Sequence, residues 1–72
     1  MEKYIITLET TDGRTSSVDT DYLQGALNIA DVAKGICKER NVSATISVFL
    51  LAEYGKVLIE TETINPTRVV AL

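Results

Sequence analysis

Apolar and polar side chains alternate from Lys3 to Thr10, with Tyr4, Ile6 and Leu8 on one side and Ile5, Thr7 and Glu9 on the other. That period of two predicts a half-buried strand. Thr11-Asp12-Gly13-Arg14 follows, and Asp-Gly between two extended runs predicts a type I′ hairpin turn with positive φ at both central residues. A second, antiparallel strand is expected near Arg14 to Val18. Its sequence, RTSSV, is short and polar, which suits the exposed edge of a sheet.

The period then changes. From Asp19 to Arg40 the apolar positions recur at helical spacing, opened by Asp-Thr-Asp, whose side chains can accept the free amides of a first turn, and closed by Lys38 and Arg40 before Asn41. On a wheel of about 100° per residue, Tyr22, Ala26, Ile29, Ala33 and Ile36 occupy the centre of the apolar arc. Leu23, Ala30 and Cys37 lie on one flank, with Leu27 and Val32 at the two margins. The arc spans about 220°, against somewhat more than 100° for a helix resting on a single sheet. The surplus predicts a second surface to be covered.

Ser43 to Ala52 alternates again, Ile46, Val48 and Leu50 against Ser47, Phe49 and Leu51, so its later half is apolar on both faces. Glu53-Tyr54-Gly55-Lys56 supplies a hairpin loop, and Val57 to Ile64 returns as a fourth strand, ended by Pro66. Residues 1–64 are thus expected to form a single α+β domain of ββαββ order, one helix on a four-stranded sheet. Residues 65–72 form an apolar tail, which has three open placements: docked, swapped between chains, or added as a short fifth strand.

The succession of hairpin, helix and hairpin over residues 3–64 resembles the layout of immunoglobulin-binding bacterial domains and other β-grasp modules. The resemblance implies a sheet order 2-1-4-3 with the first and last strands parallel at the centre. The fully antiparallel order 4-3-1-2 is the alternative, because in the β-grasp order the doubly apolar third strand would be a bare edge that invites pairing with another chain. Fold likeness of this kind carries no functional residue across.

Composition narrows the function classes. A chain of 72 residues with 46% hydrophobic and 24% charged residues folds as one small globular domain, and its formal charge of −3 removes the general attraction to phosphate backbones. One cysteine permits no internal disulfide, and with neither a leader nor a membrane-length apolar run in the sequence, a reducing, cytoplasmic setting is expected. With no histidine, the usual neutral-pH base and the commonest transition-metal ligand are both missing. Cys37 reads as a buried core thiol, and Glu9, Glu60 and Glu62 read as solvated carboxylates sharing a sheet face. No catalytic residue, metal site or cofactor is expected.

The function expected is therefore a small protein–protein interaction or assembly module, self-associating as a homodimer through the helix flanks, the third-strand edge and the tail. The side chains assigned to that surface are Leu23, Leu27, Val32, Phe49, Leu51, Leu58, Val69, Val70 and Leu72. Another protein is the alternative occupant; a membrane is not expected. A second function class, a dimeric regulator that binds nucleic acid, would use Lys34, Lys38 and Arg40 at the basic end of the helix, against the sign of the overall charge.

Overall fold

The computed structural model describes residues 2–66. The expected placements of Val69, Val70 and Leu72 lie outside the described residues. Five elements follow in order: β1 (Lys3–Thr10), β2 (Thr15–Thr20), α1 (Leu23–Glu39), β3 (Ala44–Ala52) and β4 (Gly55–Ile64). The strands form one antiparallel sheet in the order β2-β1-β3-β4, with α1 across one face.

This is the fully antiparallel alternative, and the β-grasp order is overturned. The helix returns the chain from the Thr20 end of the sheet to the Thr10 end, so β3 must run against β1 while β4 runs with it. Either order satisfies those directions. The inner place goes to β3 because it has apolar side chains for both faces: Ile46 and Val48 beneath the helix, Phe49 on the other side. The expected β3 edge does not exist; the edges are β2 and β4.

Two local details differ from the expected chemistry. At the first hairpin only Gly13 has positive φ (92°), and Gly13 N–H donates to the Thr10 carbonyl at 3.1 Å while Thr10 N–H donates to that of Arg14 at 2.8 Å. This is a three-residue loop, a type I turn closed by a glycine bulge. The Asp12 carboxylate selects it by accepting from the Thr10 hydroxyl and from Arg14 N–H. At the helix start, Asp19 and Thr20 belong to β2, paired with Ile5 and Tyr4, so Asp-Thr-Asp cannot serve as the cap. Tyr22 takes that position with no side-chain cap bond.

The far end of the helix is better closed. Asn41 adopts φ 55°, Asn41 N–H reaches the Lys38 carbonyl at 3.3 Å, and Val42 N–H reaches that of Cys37 at 2.9 Å. This pair of bonds is a Schellman motif, with asparagine in the left-handed position and Val42 packed onto the core.

The core consists of Tyr4 and Ile6 from β1, Ala44, Ile46 and Val48 from β3, Ile64 from β4, and Ala26, Ala30 and Cys37 from α1. Ala26 and Ala30 are fully buried. The helix therefore rests on its small side chains, rotated away from the arc centre expected from apolar positions alone: Tyr22 and Ile36 stand exposed at 75% and 47%. Small residues mark where a helix backbone can approach a sheet most closely, and large ones at the same height would hold it off.

Ile46, at 1% exposure, sits in the middle of this contact. Ile46→Val is expected to lower unfolding free energy by about 1 kcal/mol and Ile46→Ala by about 2–5 kcal/mol, as measured by urea denaturation. The second loss is a large part of the total stability of a chain this short.

Candidate interaction surfaces

The register sorts the sheet into two faces. Beneath the helix lie Tyr4, Ile6 and Leu8, Ile46 and Val48, and, at the β4 edge, Glu60 and Glu62, paired with Val48 and Ile46. Glu9 pairs with Thr45 and belongs to the opposite face, so the expected grouping of Glu9 with Glu60 and Glu62 does not form. The register shift between Val48 and Phe49 is the physical reason β4 keeps both glutamates on the helix side: Glu60 pairs with Val48 and Leu58 with Phe49, leaving Ile59 as the extra residue of a bulge.

Lys34 meets those glutamates. Its ammonium donates to Glu60 Oε1 at 2.8 Å, with Glu62 Oε1 at 3.3 Å and Asp31 Oδ1 at 3.7 Å, and the residue is 8% exposed. The hydrogen bond to Glu60, helped by the one to Glu62, raises the Lys34 pKa against the opposing effect of burial. Lys34 thus pins the helix to the β4 edge with its charge held by the two glutamates, whereas Lys38 and Arg40 are exposed at the helix end.

Among the described residues, no element packs on the face away from the helix. Across it runs an apolar row, Ile5 on β1, Phe49 on β3 and Leu58 on β4, with Leu51 one row further on. The Lys56 ammonium lies 5.0 Å from the centre of the Phe49 ring, in cation–π geometry. Next come hydroxyls: Ser47 and Thr61 are hydrogen-bonded at 3.0 Å, Thr45 and Thr63 at 3.3 Å. Thr45 and Ser47, together with Thr7, Glu9, Thr15, Ser17, Phe49 and Lys56, border an open depression of about 670 Å³. Leu51 and Leu58 are 44% and 53% exposed, and Phe49 is half-buried.

A second surface left exposed among the described residues belongs to α1. Val32 and Ile36 are 62% and 47% exposed, beside Val18 of β2 at 52%. Leu23 is 42% exposed and Leu27 half-buried on the side of the helix that faces β4. The nine side chains expected to form one surface therefore divide. Phe49, Leu51 and Leu58 come together on the open sheet face, Leu23, Leu27 and Val32 lie on different sides of the helix, and the remaining three belong to the tail.

Sequence reasoning missed Lys34, Val18 and Ile36. A signal for Lys34 and Ile36 was present: Ala26, Ala30 and Cys37 share a narrow stripe, and a wheel centred on those small residues places Lys34 beside the sheet and Ile36 on the other flank. Cys37 is buried at 4% exposure, as a core thiol should be. Among the described residues no helix is long and apolar enough to cross a membrane, and no group of His, Cys, Asp or Glu is placed to hold a metal ion. No family model, curated protein or solved structure matches the chain.

Two outcomes follow from the Lys34 cluster. Lys34→Met is expected to cost about 1 kcal/mol in urea melts, a modest loss because the side chains of Glu60 and Glu62 remain 38% and 45% open to water. Because the folded-state pKa is raised above the ordinary 10.5, the stabilisation from Lys34 is fully present below pH 10.5 and is lost as pH rises through the higher folded value. Stability measured from pH 9 upward should therefore decline more steeply in the wild type than in Lys34→Met.

Proposed function

We propose that the protein is a small interaction module that assembles with a second copy of itself, docking apolar surface that its single helix leaves uncovered. The observation that carries this reading is the exposure remaining after folding: Leu51 and Leu58 on the open sheet face, Val32, Ile36 and Val18 on the helix flank. The described residues hold one helix for two sheet faces. Clustered apolar exposure on both sides of a soluble domain marks contact surfaces, and two-fold association is the commonest way to cover them.

The same surfaces could accept a different protein, but the second copy is the partner always present at the chain's own concentration. A dimeric nucleic-acid regulator is less well supported, because Lys34 is held by Glu60 and Glu62 and the basic end of the helix is reduced to Lys38 and Arg40. A single cysteine, buried in the core, suits a reducing cytoplasmic setting.

Light scattering coupled to size exclusion on the full chain tests the reading. The expected mass is about twice the 7.9 kDa of one chain, falling towards that value on dilution. A monomer mass that persists up to about 1 mM chain would overturn self-association.

A further inference from the structure

We infer that the dimer forms by joining β2 of one copy to β2 of another, antiparallel about a two-fold axis at Ser17, so that two four-stranded sheets become one. This rests on the self-association proposed above and names its surface. The hydrogen bonds beside the first hairpin set the phase of the sheet. Thr10 N–H donates to the Arg14 carbonyl on the β2 side, and Thr11 N–H to the Ser43 carbonyl on the β3 side. Because bonding alternates along an antiparallel strand, even-numbered residues of β1 bond to β2 and odd-numbered ones to β3. Ser16, Val18 and Thr20, opposite Leu8, Ile6 and Tyr4, thus spend their amides and carbonyls on β1. Those of Thr15, Ser17 and Asp19 point out of the sheet edge and meet no backbone partner among the described residues. The strand carrying them is regular from Thr15 to Thr20, without the bulge, proline or lysine that closes an edge to further pairing.

Symmetry, side-chain placement and the state of the other edge select a second copy. The free groups are centred on Ser17, and a two-fold axis there sets Ser17 against itself and Thr15 against Asp19 of the other copy. Every one of them is then satisfied, and each carboxylate lies beside a hydroxyl. An axis at Asp19 would put the two carboxylates together. The same axis, normal to the sheet, keeps both helices on one face. Lys34 ties one flank of α1 to β4, so the opposite flank, with Val32 and Ile36, is turned toward the join, where Val18, 52% exposed, stands beside Ser16 of the other copy. A lone extended peptide would satisfy the edge but bring no helix to that side. The remaining edge, β4, is bulged at Ile59 and carries Lys56, which opposes a β2-to-β4 contact that would run on as an open fibre. Pairing β2 with β2 closes.

The test uses the full chain and two readouts. The Ser17 N–H points away from β1, so the fold tolerates Ser17→Pro, whereas the two copies lose their bonds across the axis. Circular dichroism is expected to stay unchanged and dimerisation to weaken about thirtyfold or more by light scattering, while Leu58→Glu on the open sheet face leaves it intact. The second readout needs no proline. In a Cys37→Ala background, chains carrying Ser16→Cys mixed with chains carrying Val18→Cys should form a disulfide, because an axis at Ser17 makes these a non-hydrogen-bonded pair with Cα atoms about 4.5 Å apart. Neither should crosslink alone. Absence of that crosslink, or a folded Ser17→Pro chain that dimerises as the wild type does, overturns the join and leaves self-association standing. Crosslinking of Val18→Cys chains by themselves overturns the axis at Ser17. A wild-type monomer overturns both readings at once.

Discussion

The close approach of α1 to the centre of the sheet, Ala26 and Ala30 against Ile46 and Val48, is the constraint on which the rest of the structure depends. A helix can lie this near a sheet only along a line of small side chains, and that line sets its rotation. Once Ala26, Ala30 and Cys37 face inward, Lys34 is carried to the β4 edge, and Val32 and Ile36 are carried out over β2. The buried charge and the exposed apolar stripe are two results of one rotation.

The cost of bringing an ammonium under a helix is offset by the β4 bulge. Without the extra residue at Ile59, the strand's strict alternation would place Leu58 on the same face as Glu60 and Glu62. With it, both glutamates face Lys34, and Leu58 joins Phe49 on the opposite side. The bulge thus serves the ion pairs beneath the helix and the apolar row on the open face together. It also twists an edge strand that would otherwise be a flat template for pairing.

Much of this was legible in the chain. The four strands, the helix and their order along the sequence follow from periodicity, and the doubly apolar character of β3 made its inner position the alternative to a sticky edge. The surplus around the helix was legible too, as an arc wider than one sheet requires. Its orientation was misread because a wheel weighs Tyr22 and Ala26 alike, although only one of them lets a backbone come close. Asp19-Thr20 looked like a helix cap because those residues suit caps in isolation; the ladder to β1 claimed them first. The turn at Asp12-Gly13 followed from Asp12's own hydrogen bonds, which favour a three-residue loop over the two-residue one.

By itself the sequence determined the elements, because period, turn residues and breakers act over a few neighbouring positions. It also determined that apolar surface exceeds what one helix and one sheet can cover. Tertiary structure alone decided which strand stands beside which, which side of the helix looks inward, and where the charges of Lys34, Glu60 and Glu62 meet. Those outcomes depend on how closely two surfaces can approach and on a one-residue shift in register, quantities that exist only between elements distant in the chain.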